Sequence, residues 1–310
     1  MITLDPLLFA DVADVLRISN PALVEKDYYA VLLLKELGVL QFDDYQLVFA
    51  GGTCLTKVHQ NTYRMSEDID IKLVASSETL DKSHNMQRQN RKIIHQSIVS
   101  MLELSPLFQL VETKKRNEGK FQQFLIQYPR HHDLVDALRP HIQLEITESA
   151  LLEPAIEKSI RSMYAETNKS APEVALFPCV TMETTASEKF VSLLRRTAAC
   201  NRDATQADDE TLIRHVYDLH LIGLALTEFN SIKALVAQVI QIDVDQFGNR
   251  HEEFRENPSQ ELKYGLNLLV TNPIYKERYK QFIGPLVYHP TPATWDEAIK
   301  TVLRMSDEWL

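Results

Sequence analysis

Glycine is scarce in this chain. Of 310 residues only 8 are glycine, where ordinary usage of about 7% would give roughly 22. That shortage excludes a glycine-rich β architecture and long flexible Gly/Ser linkers. Cysteine is scarcer still. Cys54, Cys179 and Cys200 are odd in number and far apart, which excludes a disulfide framework and a CxxC zinc site and points to a reducing, cytoplasmic setting. No run of 18 apolar residues occurs, so no transmembrane helix is expected. The first residues lack a basic segment and carry Asp5 and Asp11 early, unlike a secretory signal. Positive charge is also in deficit: 33 Lys and Arg against 43 Asp and Glu leave a net charge of −10. A constitutive, sequence-independent nucleic-acid binder would normally be basic. An enzyme that meets a polyanion through a local basic face or bound cations is still allowed.

What is present fits an ordinary globular protein, 45% hydrophobic and 25% charged, long enough for two domains. Residues 21–37 read as a helix with Pro21 near its start and Gly38 at its stop. Residues 45–50, YQLVFA, read as a buried strand, and residues 54–60 as a short helix opened by Thr53. Alternation predicts strands at 68–74 and 140–147, with one long helix over 78–104 between them. Residues 107–112 and 120–128 flank a polar turn at Asn117, Glu118 and Gly119, the pattern of a hairpin. Beyond residue 182 the pattern becomes helical, at 183–201, 209–226, 229–245, 259–271 and 293–308, with Pro258, Pro273, Pro285 and Pro290 in the gaps. The expected fold is therefore α+β: a mixed-sheet domain with flanking helices over 1–178, then an all-helical bundle over 179–310.

The chemistry concentrates between Phe49 and Asp70. Gly51 and Gly52 are the only adjacent glycines in the chain. A strand running into Gly51-Gly52-Thr53 lets backbone approach a ligand without an intervening Cβ, with Gly52 the expected point of contact. The following helix start offers unpaired N–H groups to phosphate. Asp68 and Asp70, two apart in a strand, share one face while Ile69, Ile71 and Leu73 take the other. Two adjacent carboxylates repel unless a cation joins them, and hard oxygen donors suit Mg²⁺. In residues 141–147, HIQLEIT, Glu145 is the one acid on the polar face. If that strand neighbours 68–74, three carboxylates converge, as a pair of metal ions in phosphoryl displacement requires.

Each element alone has a plainer explanation: aspartates at strand ends cap or face solvent, GGT makes a turn, and Glu145 could sit on an exposed edge. Lys57 and Arg64 flank the segment and could counter phosphate charge. Cys54, at a helix start, could carry a lowered pKa or simply be small and buried. His131-His132-Asp133 has no third ligand at metal spacing and reads as a solvated loop. Lys114, Lys115, Arg116 and Lys120 form a small basic patch at the hairpin tip that could meet RNA or be a mobile charged loop.

In order, VEKDYY (24–29), FAGGTCLTK (49–57) and RMSEDIDIKL (64–73) resemble the AbiEii/AbiGii toxin family of nucleotidyltransferases, and are similar to the mycobacterial MenT toxins, within the polymerase-β-like superfamily. The 14 residues 54–67 between Thr53 and Asp68 make a longer gap than many superfamily members have, but fit the toxin pattern. The resemblance runs from residue 24 to about 220 and takes in Glu188-Lys189 and Asp218. It implies that Gly51, Gly52, Thr53 and Lys57 hold the triphosphate of an NTP substrate. Asp68, Asp70 and Glu145 would ligate Mg²⁺, or Mn²⁺ in its place. Lys189 would reach a nucleotide phosphate, and Asp218 would orient Lys189, touch base or ribose, or form a helix-to-helix salt bridge. Glu25, Lys26 and Asp27 would dock their helix on the site.

The resemblance further implies a toxin that moves a nucleoside monophosphate from an NTP to an acceptor such as the 3′ end of tRNA, held in check by an antitoxin encoded nearby. Arg195, Arg196, Arg202 and Arg214 would then form the face that docks RNA. Two other classes fit the same residues: a nucleotide- or partner-binding module without turnover, and a nucleotidyltransferase acting on a small molecule such as an aminoglycoside.

Overall fold

The computed structural model describes residues 4–134, 138–203, 205–206, 208–226 and 229–310. Two compact units divide the chain, Met1–Val180 and Thr181–Leu310. The first is built on a seven-stranded sheet whose strands are β1 (Tyr45–Ala50), β2 (Asp68–Ala75), β3 (Gln109–Arg116), β4 (Phe121–Gln127), β5 (Ile142–Glu148), β6 (Ile156–Ile160) and β7 (Val174–Cys179). Their spatial order is β3-β4-β5-β2-β1-β7-β6. β2 runs parallel to β5 and β1 parallel to β7, while the remaining neighbours are antiparallel. Alternation sets the sheet's two faces. Ile69, Ile71, Leu73, Leu144, Ile146 and Phe124 are all buried on one of them, each contributing about 1.5–3 kcal/mol of apolar burial.

Helices α1 (Leu7–Leu16), α2 (Pro21–Leu37), α3 (Gly51–Cys54), α4 (Ser77–Leu80), α5 (His84–Leu104) and α6 (Met163–Thr167) complete this unit. α2 starts where sequence predicts: the Asn20 side chain accepts the Ala22 N–H at 2.7 Å and Pro21 opens the first turn. The single helix expected over 78–104 is two. Ser76 and Ser83 each cap a helix, accepting the N–H of Thr79 and of Met86, and the chain turns between them. α5 then buries Arg91, Ile94, His95, Ile98 and Leu102 along one stripe, with His95 stacked on Phe124 of β4 at 5.0 Å. β6, β7, α1 and α6 are short, and their mixed polarity produced no periodic signal.

The second unit is all helical: α7 (Met182–Arg202), α8 (Arg214–Ala225), α9 (Asn230–Phe247), α10 (Glu252–Glu256), α11 (Pro258–Thr271), α12 (Pro273–Leu286) and α13 (Trp295–Trp309). α7 is its axis, with Phe190, Val191, Leu193, Leu194 and Ala198 fully buried. α11 lies so close to it that a Cβ at Gly265 would stand 2.1 Å from the Leu194 carbonyl oxygen. α12 occupies a stretch read as a gap between prolines. Pro273 sits in its first turn, where a missing N–H costs nothing, and Pro285 in its last. Among the described residues no helix is long and apolar enough to cross a membrane. The architecture is the expected α+β arrangement, a mixed sheet with flanking helices followed by helices.

Candidate active site

The β1 strand ends in the glycine pair, and β2 returns antiparallel beside it with Ala50 opposite Asp70. Within the pair, Gly51 carries a conformational demand that the sequence did not single out. Gly51 has φ of +75°, and a Cβ there would lie 1.9 Å from Asp70 Oδ2. Only glycine lets this turn press against that carboxylate. Thr53 is buried, and its hydroxyl donates to the Asp68 carbonyl and lies 2.9 Å from Ser66 Oγ. Thr53 thus ties the glycine turn to the first residue of the acidic strand.

The ladder between β2 and β5 places Asp68 opposite Gln143 and Asp70 opposite Glu145. Paired residues share a face, so Asp68, Asp70 and Glu145 all project from the sheet surface opposite Ile69 and Leu144. All three are partly exposed. The donors are hard oxygens on one face, and in chemistry they suit a divalent cation. Among the described residues, however, no three His, Cys, Asp or Glu side chains are gathered as a metal cage. The carboxylates are turned to other partners. Arg139 Nη2 grips Asp68 through both oxygens at 2.7 and 2.8 Å, and Arg139 Nη1 donates to Gln143 Oε1 at 3.1 Å. Gln143 and Gln123 each donate to Glu145 Oε1, at 2.7 and 2.9 Å. Burial works to lower the Arg139 pKa, but Asp68, Glu67 and Glu145 outweigh it and hold the pKa above its ordinary value.

Arg139 and Glu67 were not singled out from sequence. Nothing local marks Arg139, which precedes Pro140 in a loop, or Glu67, which precedes β2. In the structure Glu67 is 4% exposed and pairs with Lys26 of α2 at 2.7 Å. Lys26 also donates to the Arg139 carbonyl, and Glu67 accepts the Arg139 N–H, both at 2.7 Å. A buried ion pair therefore fixes the backbone of the arginine that holds Asp68. Its neighbours behave alike. Glu25 accepts the N–H groups of His131 and His132 and lies 2.8 Å from His131 Nδ1, so the two histidines dock α2. Asp27 accepts the Met163 N–H at 2.6 Å and pairs with Lys57.

That last contact bears on the nucleotide site. The Lys57 side chain is 5% exposed and committed to Asp27, and Arg64 is buried at 3%. Neither presents an open cation. Cys54 is fully buried, and burial, Cys179 and Asp70 push its thiol well up, the opposite of an activated cysteine. In the second unit Lys189 of α7 meets Asp218 of α8 at 3.0 Å, with Asp218 fully buried. Three of the four arginines expected to form an RNA-docking face are held in ion pairs. Arg195 pairs with Asp243, Arg196 with Asp209 and Arg202 with Glu261, at 2.7, 2.5 and 3.0 Å.

A glycine turn at the end of β1 is thus locked to an acidic pair on β2, with a third acid across the ladder on β5. Residues 32–301 match the family described as nucleotidyl transferase AbiEii toxin, type IV toxin–antitoxin system. The chain belongs to the AbiEii family. It is a nucleotidyltransferase of the toxin–antitoxin class. Among solved structures, MenT4, a nucleotidyltransferase toxin from Mycobacterium tuberculosis, shares the fold with a TM-score of 0.56 at 17% identity, covering 99% of both chains. No curated protein gives a significant match.

Proposed function

We propose that this AbiEii-family chain is a cytoplasmic enzyme that moves a nucleoside monophosphate from an NTP to an RNA acceptor, the 3′ end of tRNA, releasing pyrophosphate. A cognate antitoxin encoded nearby restrains it. The observation that carries the reading is the β2–β5 register, which sets Glu145 directly beside Asp70 and two residues from Asp68 on one face. Asp68, Asp70 and Glu145 would hold Mg²⁺ or Mn²⁺, which when bound draws charge from the phosphates during displacement. Arg139, which grips Asp68 through both oxygens, offsets the negative charge of that carboxylate. Glu145 accepts, or positions the group that accepts, the proton of the attacking RNA hydroxyl. The Gly51-Gly52-Thr53 turn offers backbone N–H groups to the triphosphate.

The test is transfer itself. Incubation with labelled NTPs, Mg²⁺ and total RNA should place label on RNA. Asp70→Asn should lower the rate about a hundredfold or more, since several kcal/mol of charge stabilisation is lost. Absence of label on any RNA, with Asp70→Asn as toxic as the parent chain, would overturn the reading.

A further inference from the structure

A groove of about 620 Å³ lies where α5 meets the β3–β4 hairpin, lined by Arg88, Arg91, Lys92, His95, Lys115 and Arg116. In a chain of net charge −10, this is a concentrated patch of the opposite sign. The one carboxylate among the lining residues, Glu118, is turned to His84 at 2.5 Å. Surface lysines on an edge strand can serve only to discourage strand pairing, so the charge alone decides little. Arg91 decides more. It is 1% exposed, spends Nη1 on Glu148 at 2.9 Å and Nε on the Glu118 carbonyl at 3.3 Å, and leaves Nη2 buried with no hydrogen-bond partner. A buried guanidinium nitrogen without an acceptor costs free energy, and the buried cation adds its positive field to the groove it lines.

We propose that this groove binds the phosphate backbone of the acceptor RNA, a reading that rests on the function proposed above. Three observations favour a strand over a free phosphate. The cations are spread along one helix and one hairpin and are not gathered about a point. Arg116, at the lip, lies over the ring of Phe121 at 5.7 Å, an aromatic and cationic pair of the kind on which unpaired bases stack. Phe121 pairs with Thr147 in the ladder and so shares the face of Gln123 and Glu145. A strand leaving the groove around the hairpin tip thus arrives on the carboxylate face, two residues along β4 from the glutamine that holds Glu145. Arg195, Arg196 and Arg202 of the second unit are already paired with Asp243, Asp209 and Glu261.

The experiment is fluorescence anisotropy with a labelled single-stranded RNA, on the full chain across a salt series. The double variant Lys92→Glu/Lys115→Glu should bind RNA at least about tenfold more weakly at low salt. Its dependence of log K on log salt should be shallower by roughly 0.7 for each lost contact. NTP binding should stay at the parent level, which shows that the variant is folded. The control Lys158→Glu/Lys169→Glu makes the same change in net charge elsewhere and should bind RNA like the parent. Equal RNA affinity in the groove variant and the parent overturns the proposal, as does an equal loss in the control or no RNA binding by the parent. The two readings separate cleanly. Transfer to RNA with an unchanged KM in the groove variant sinks the groove and leaves the proposed function standing, while groove-dependent RNA binding without any nucleotide transfer does the reverse.

Discussion

At Gly51 a single hydrogen atom stands where any other residue would put carbon into Asp70. The positive φ and the 1.9 Å approach are independent obstacles. The first costs an L-residue about 1–2 kcal/mol, and the second forces either the turn or the acidic strand to move. Gly51→Ala should therefore abolish NTP binding and transfer while lowering stability only modestly, read by calorimetric titration beside a denaturation curve. Near-normal transfer by Gly51→Ala would show that the turn does not set the position of Asp70. The glycine pair was legible in sequence because glycine is otherwise so rare. Which of the two carries the constraint was not, since that depends on a carboxylate arriving from the next strand. Lys57 illustrates the same limit. The family resemblance implied that it holds phosphate, and in the structure it pairs with Asp27, thirty positions earlier in the chain.

At the scale of elements, α2 carries three successive charged residues that are almost wholly buried, Glu25, Lys26 and Asp27, at 1%, 0% and 5% exposure. Each reaches a different segment, so one helix sets the loop at His131, the backbone at Arg139 and the start of α6. Burial lowers the Lys26 pKa, and Glu67 opposes that effect without cancelling it. Removing one partner of such a pair strands a charge, typically at about 3–5 kcal/mol. Lys26→Met should lower the unfolding free energy by that order, read as a lower urea midpoint, and Lys26→Met/Glu67→Leu should regain part of the loss. A midpoint unchanged in the single variant would mean that the pair contributes nothing net. The helix itself was legible from its caps and apolar spacing. Its three anchors were not, because a run of charges in a sequence ordinarily marks a solvated face. The break between α4 and α5 shows the reverse: two serines with capping geometry interrupt a pattern that looked continuous.

Across the whole molecule, charge is sorted in a way that composition conceals. An acidic chain holds Arg195, Arg196 and Arg202 in ion pairs and, among the described residues, lines the groove between α5 and the hairpin of the first unit with Arg88, Lys92, Lys115 and Arg116. His95 lies beneath that patch. Burial lowers its pKa from 6.5, Lys115 lowers it further, and the hydrogen bond to Gln122 pulls the other way. Because the folded state gives up this proton more readily than the unfolded chain, the unfolded state binds more protons near and below pH 6.5. The stability that neutral His95 contributes is thus present above that pH and is lost as the pH falls through it. His95→Gln should flatten the decline in denaturation midpoint between pH 7.5 and pH 5.5. An identical decline in parent and variant would remove His95 as its cause.

The sequence by itself determined the class of the fold, the alternation that puts Asp68 and Asp70 on one face, and the ordered motifs shared with the AbiEii family. All of these follow from periodicities and spacings within a few tens of residues, where local backbone geometry governs which way a side chain points. The tertiary structure alone decided that Glu145 stands beside Asp70, that Arg139 holds Asp68, that Lys57 is spent, and that Arg88, Lys92, Lys115 and Arg116 line one groove at the hairpin. Those outcomes depend on which strands become neighbours and which charges must be neutralised once buried. Partners in such pairs lie from about thirty to more than a hundred residues apart, so no local pattern encodes them.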